Sequence, residues 1–149
     1  MTEMTKTAAA SSDHAELISA LVRDARAAQA VLAQASHDSR VAALANAAAL
    51  IRGAATEILA RNGMDVARAG ENGISAAFID RLTLTPDRVE AMAAGLEDIT
   101  GLGDPIGREL ARWTRPNGLD IARVATPLGV IGVIYESRPN VTIDAAGLC

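Results

Sequence analysis

The run Gly129–Tyr135, GVIGVIY, is apolar at Val130, Ile131, Val133 and Ile134 and does not alternate. A strand with one wet face alternates apolar and polar residues. This pattern therefore predicts a strand covered on both faces, as in a parallel α/β sheet. The backbone donors and acceptors of such a strand need neighbours on both sides. A dense polar knot follows at once, Tyr135-Glu136-Ser137-Arg138-Pro139-Asn140, and then NVTIDAAGLC, which has the first turns of a helix with Pro139 near its start. Strand, tight polar turn and helix make half of a βαβ unit. The rest of the chain has nothing of the right size to flank that strand, so the 149 residues are expected to be the N-terminal part of a longer protein. The alternative is a small protein that completes its sheet with a partner chain.

Upstream the pattern is helical. Residues 1–12 are small and polar with no apolar period, which predicts a loose tail. From Asp13 to Ser36 apolar residues recur at Leu17/Ile18, Leu21/Val22, Ala25, Ala28 and Val31/Leu32, a helical spacing. Ser36-His37-Asp38-Ser39 offers capping oxygens for a second helix with Val41, Leu44, Ala48, Ile51, Ala55 and Ile58 inward, and Asn62-Gly63 is a good stop. The stripes of these two helices suit an antiparallel helical hairpin, with a partner-binding coiled coil as the alternative. Short helices are expected near 64–70 and 74–82. Thr85-Pro86 then caps a helix whose inward stripe is Val89, Met92, Leu96 and Ile99, and GLGDP at 101–105 breaks it. In ELARWTRPNGLDIARVA, Asn117-Gly118 between two strand-like runs signals a β-hairpin. A two-residue turn there sets Arg115 opposite Asp120 and Arg112 against Arg123.

Composition narrows the class. A net charge of −4 leaves no basic face for nucleic acid, and no apolar run reaches the roughly 18 residues of a membrane span. With one cysteine no internal disulfide can form, and a reducing cytoplasm is the natural reading. Thirteen of the fourteen basic residues are arginine. Guanidinium forks suit anions, but codon bias in a GC-rich genome is the simpler account.

The knot lies where open α/β sheets place ligands, between the carboxyl end of a strand and a helix N-terminus. Asn140 is the residue best suited to chemistry. Its amide can donate to an oxyanion in an acyl-transfer or hydride-transfer step, although spacing alone favours helix capping. Gly129 and Gly132 lie inside the strand and do not make a dinucleotide fingerprint, so close packing is their reading. Cys149 sits mid-helix in an apolar setting, unlike a reactive thiol. His14 and His37 lack metal-ligand spacing, and no metal site is expected.

PLGVIGVIYESRPNVTIDAAGLC resembles the signature of the gamma-glutamyl phosphate reductases, or glutamate-5-semialdehyde dehydrogenases, within the aldehyde dehydrogenase superfamily. ARAAQAVLAQAS, AATEILARNGMDVARAGENGISAAFIDRLTLTPDRVEAMAAGLEDI and RWTRPNGLDIARVATPLGVIGV are similar to successive stretches of the same family, so coverage runs from about Ala25 to Cys149. YESRPNVT is the specific element; other members of the superfamily carry a Pro-Trp-Asn type turn there. The resemblance implies an aldehyde-dehydrogenase-like α/β fold. Residues 13–105 would be the helical part of the cofactor-binding domain, 106–126 the β-hairpin of an oligomerisation arm, and 127–149 the first strand-turn-helix of an atypical Rossmann sheet for NADP.

The implied reaction is NADPH-dependent reduction of L-glutamyl 5-phosphate to L-glutamate 5-semialdehyde, with release of phosphate, in proline biosynthesis. It runs through a thioester and a thiohemiacetal on a cysteine in a second domain. Asn140 aligns with the superfamily's oxyanion donor. Glu136, Ser137, Arg138 and Pro139 would lie along the nicotinamide end of the cofactor, and by chemistry Arg138 could meet a phosphate. Implied partners are a second copy of the chain and channelling from glutamate 5-kinase. The chain is less than half the family's usual length and lacks the nucleophile, so alone it is expected to be inactive. The alternatives are a CoA-acylating member of the superfamily and a non-catalytic helical interaction module.

Overall fold

The computed structural model describes the backbone of residues 2–149 and the side chains of residues 14–149. In chain order the elements are α1 (Thr2–Leu32), α2 (His37–Gly53), α3 (Ala55–Glu71), α4 (Ala76–Leu82), α5 (Pro86–Thr100), β1 (Glu109–Thr114), β2 (Asp120–Val124) and α6 (Pro139–Leu148). They form two compact units: Met1–Ala35 with Glu109–Ile131, and Ser36–Arg108 with Gly132–Cys149. No single helix among the described residues is long and apolar enough to cross a membrane.

The first unit holds α1 and a two-stranded antiparallel sheet. Helix α1 begins at Thr2, so its backbone takes in most of the stretch 1–12 expected as a tail; Ala8–Ala10 has the highest helix propensity and carries the helix back. Met1 lies outside the described residues. Leu17, Ile18, Leu21, Val22, Val31 and Leu32 are all exposed on α1.

The hairpin forms, but one residue away from the register that a two-residue turn would give. Arg115 N–H donates to Leu119 C=O at 2.8 Å and Gly118 N–H donates to Arg115 C=O at 2.9 Å, with Gly118 at φ +86°. That is a three-residue loop in which Pro116 opens the turn and Gly118 takes the left-handed position. A two-residue Asn-Gly turn would have put Pro116, which has no N–H, in the ladder. The pairs are therefore Thr114↔Asp120, Arg112↔Ala122 and Ala111↔Arg123. Arg112 avoids Arg123 and instead reaches Glu109 on its own strand, at 2.7 Å, and Asp120 diagonally across.

The second unit is built on α5. The sequence pairs the first two helices as one hairpin; the structure places α2 in this unit, packed on α5. Ser36 caps α2 by accepting from Ser39 N–H at 3.2 Å, and Thr85 caps α5 by accepting from Arg88 N–H at 3.2 Å, with Pro86 in the first turn. The expected stripe of α5 is inward: Val89, Met92 and Leu96 are buried, with Ala93 beside them. Ala48 and Ala93 are wholly buried, and with Leu96 they form a core flanked by Leu44, Ile51, Ile99 and Ile143.

Polar clamps hold the rim of this core. Arg52 on α2 donates to Glu90 and Glu97, two turns apart on α5, at distances of 2.5–3.0 Å. The guanidinium holds both carboxyls below the ordinary glutamate value, and its own pKa is raised in return. Arg40 grips both oxygens of Asp104 at 2.9 and 2.8 Å, tying the start of α2 to the loop after α5. The Ile106 N–H on Asp104, and then Arg40, lower that carboxyl's pKa.

The stop expected at Asn62-Gly63 does not occur. The chain bends by 65° between α2 and α3, at Ala54, and α3 runs on to Glu71. Asn62 is buried at 7% exposure, and its amide donates to Leu82 C=O at 2.8 Å and accepts from Leu84 N–H at 2.7 Å. Helix α2 is committed to α5 and α3 to α4, and one straight helix cannot serve both. Gly63 costs the helix about 1 kcal/mol relative to alanine, an amount the two tethered hydrogen bonds offset.

The strand expected across 127–135 is absent among the described residues. Ala125–Glu136 carries no regular secondary structure and pairs with nothing, and Leu128 and Ile134 are 90% and 103% exposed. A strand exists only through its ladder partners. The described residues supply none.

Replacing Asn62 with alanine leaves Leu84 N–H and Leu82 C=O without their partner. The unfolding free energy should fall by about 1–3 kcal/mol, read from the urea midpoint at unchanged slope. A loss below about 0.5 kcal/mol, the usual scatter of surface changes, would mean that the tether does not hold α3 to the turn after α4.

Candidate functional site

The polar knot is a sharp reversal. Ser137 has φ +60°, a left-handed conformation uncommon for a residue with a Cβ. Arg138 is the N-cap of α6 in extended conformation, Pro139 the first helical residue, and no side chain caps the helix. Before the reversal Tyr135 lies 2.5 Å, hydroxyl to hydroxyl, from Thr142 in the first turn of α6. This bond ties the incoming chain to the first turn of the helix.

Asn140 is therefore the second residue of α6 and does not cap it. Its amide nitrogen donates to Asp144 Oδ2 at 3.0 Å, one turn on. Asn140 is half-buried, as are Ser137 and Pro139, whereas Glu136 and Arg138 are exposed.

Helix α6 is held by its far end. A Cβ on Gly147 would collide with Leu96 Cδ2 and come within 3.2 Å of Ile99 Cδ1. Only glycine lets α6 approach α5 this closely, and Ile143 completes the contact with the core. Seated there, the start of α6 faces the turn between α4 and α5 across a cleft of about 580 Å³. Asp80, Arg81 and Arg88 line one side, and Arg138, Asn140 and Asp144 the other. Its volume is in the range of small-molecule sites, roughly 300–1,000 Å³.

The three arginines of the cleft are committed differently. Arg88 Nη1 donates to the carbonyls of Asp80 and Thr83, both at 2.6 Å, so it closes the C-terminal end of α4. The Arg81 guanidinium lies 5.9 Å from the Phe78 ring centre. Arg138, among the described residues, shows no hydrogen bond or ion pair through its side chain. A guanidinium and an amide, both able to donate, thus border one concave surface, which suits a ligand carrying negative charge or a polarised carbonyl.

Of the residues singled out in the sequence, the structure brings Arg138 and Asn140 into the cleft; Glu136, Ser137 and Pro139 form the reversal beside them. Cys149 is exposed at the end of α6. Asp80, Arg81, Arg88 and Asp144 were not foreseen. Asp144 was within reach, since it stands four residues after Asn140 on a helix that Pro139 begins. The α4–α5 residues lie fifty or more positions upstream of Arg138, and no local pattern points from them to the knot.

No family model matches the chain. Among curated proteins, it is 56% identical over 138 residues to a gamma-glutamyl phosphate reductase of Gluconobacter oxydans, covering 93% of this chain and 32% of that protein. It is 52% identical over all 149 residues to that of Rhodopseudomonas palustris, which extends nearly threefold longer, the match covering 35% of it. Among solved structures, the gamma-glutamyl phosphate reductase of Thermotoga maritima superposes with a TM-score of 0.82 at 39% identity, covering 85% of this chain and 31% of that one. The Saccharomyces cerevisiae enzyme of the same name gives 0.81 at 32% identity, covering 85% and 32%. The chain thus spans about a third of the length of the relatives it matches, and over that span it is similar to gamma-glutamyl phosphate reductases.

Proposed function

We propose that this segment forms one wall of the active site of a reductase that converts L-glutamyl 5-phosphate to L-glutamate 5-semialdehyde and phosphate, the step that feeds proline biosynthesis in the cytoplasm. The observation that carries the reading is the pairing of Arg138 and Asn140 at the mouth of α6, on a cleft, in a chain 52–56% identical to proteins named for that reaction.

In this reading Asn140 directs an amide N–H at the substrate's carbonyl oxygen and stabilises the negative charge that grows there. One of its two amide N–H groups goes to Asp144, which leaves the other for a ligand. The turn Glu136–Pro139 lies along the nicotinamide end of NADPH. That cofactor supplies the hydride when bound, and the guanidinium of Arg138, without a partner among the described residues and on the same cleft as a donor amide, fits such a polar, anionic group. The nucleophilic cysteine belongs to sequence beyond these residues, so the 149 residues alone have no reductase activity.

The remaining expectations take their places around this site. Residues 13–105 serve as the helical part of the cofactor domain. Gly129–Tyr135 becomes a strand of the NADP-binding sheet once neighbours are present, which accounts for the exposure of Ile134 within it and of Leu128 just before it. The hairpin within 106–126 acts as the arm through which copies of the protein associate. Its two open edges and the exposed Leu110, Trp113, Leu119 and Val124 support that assignment. An acyl phosphate hydrolyses readily, which makes direct delivery from glutamate 5-kinase a reasonable source.

The test uses a chain that joins this segment to the rest of the length its relatives have. It should reduce NADP⁺ in the presence of glutamate 5-semialdehyde and phosphate, and coenzyme A should not replace phosphate. Asn140→Ala should lower kcat by about 10²–10³-fold and leave the KM for the cofactor nearly unchanged. Equal activity with coenzyme A would point to a CoA-acylating enzyme, and an undiminished kcat in the variant would remove Asn140 from the chemistry.

A further inference from the structure

We propose that Asp144 is a positioning residue for Asn140, a deduction that rests on the reading of Asn140 as the oxyanion donor. The primary amide of asparagine has two opposite edges. One presents N–H groups and the other an oxygen, and rotation about the terminal side-chain bond is broad and roughly two-fold. In one orientation the residue donates to a developing oxyanion; turned over, it presents a carbonyl oxygen and repels it. An amide at such a site therefore needs something that distinguishes its edges.

Asp144 does so. Its Oδ2 is 3.0 Å from Asn140 Nδ2. An ionised carboxylate only accepts, so it selects the NH₂ edge and rejects the oxygen edge. The bond uses one of the two N–H groups and leaves the other for a ligand. The spacing of four residues on α6 puts both side chains on one helix face, and both border the same cleft. The helix holding the pair is seated by Gly147 against Leu96 and Ile99, which fixes the backbone from which the exposed carboxylate reaches Asn140.

The experiment compares Asp144→Ala, Asp144→Asn, Asn140→Ala and the Asn140→Ala/Asp144→Ala pair in the full-length enzyme, reading kcat, the KM for the cofactor and the melting temperature. Asp144→Ala should lower kcat by about tenfold or more, part of what loss of the donor itself costs, with the cofactor KM and melting temperature unmoved. Asp144→Asn, which offers a donor edge as well as an acceptor edge and so no longer distinguishes those of Asn140, should also lower kcat, to a value between the parent and Asp144→Ala. In the Asn140→Ala background the loss from Asp144→Ala should vanish, because there is no amide left to orient. Losses that multiply in the double variant, or an undiminished kcat in Asp144→Ala beside an impaired Asn140→Ala, would overturn the positioning role alone. Full activity in Asn140→Ala would instead remove the oxyanion-donor reading, and the positioning role with it.

Discussion

Helix α5 can come as close to α2 as it does because the residues at the crossing, Ala48 and Ala93, are alanines with no surface left exposed. Close approach brings Leu96 and Ile99 to the point where α6 must seat, and there Gly147 removes the last obstructing Cβ. Small residues thus set the spacing of three helices, and larger ones fill the space between them. The position of Asn140 relative to Arg88 and Asp80 follows from that packing. A wider crossing would open the cleft before any residue in it changed.

The charges play a different part. Arg52 with Glu90 and Glu97, and Arg40 with Asp104, are half-exposed clamps at the edge of the core. Solvent weakens such pairs, so they fix geometry more than they add stability. Inside the cleft the same residue type is used in contrasting ways. Arg88 is consumed by two carbonyls at the end of α4, whereas Arg138 shows no protein partner among the described residues. The protein as a whole carries a net charge of −4, which makes a guanidinium left over in a concave site more telling.

Local features were legible in the sequence. Ser36 and Thr85 act as caps because capping involves only the next three residues, and the stripe Val89, Met92 and Leu96 is inward because helical period alone sorts those positions. Features decided at a distance were not. Asn62 reads as a helix stop until Leu82 and Leu84 are seen to occupy its amide. The hairpin was visible, yet its register turned on Pro116, whose missing N–H outweighs the preference of Asn117-Gly118 for a tight turn. The apolar pattern of 129–135 describes an environment that the described residues do not provide, and the run lies uncovered and unpaired. At the site, Arg138 and Asn140 were legible through the strand-turn-helix pattern. The opposite wall belongs to α4 and α5, and only packing brings it near.

The account depends most on whether GVIGVIY is a strand waiting for neighbours, since the polar turn marks a ligand site only if it ends one. Amide hydrogen exchange at Val130, Ile131, Val133 and Ile134 answers this directly. These amides should exchange freely in the 149-residue chain, where none of the described residues pairs with them, and become strongly protected in a chain of the relatives' full length. Equally fast exchange in both would mean that the run never joins a sheet, and the site drawn around Asn140 would lose its frame.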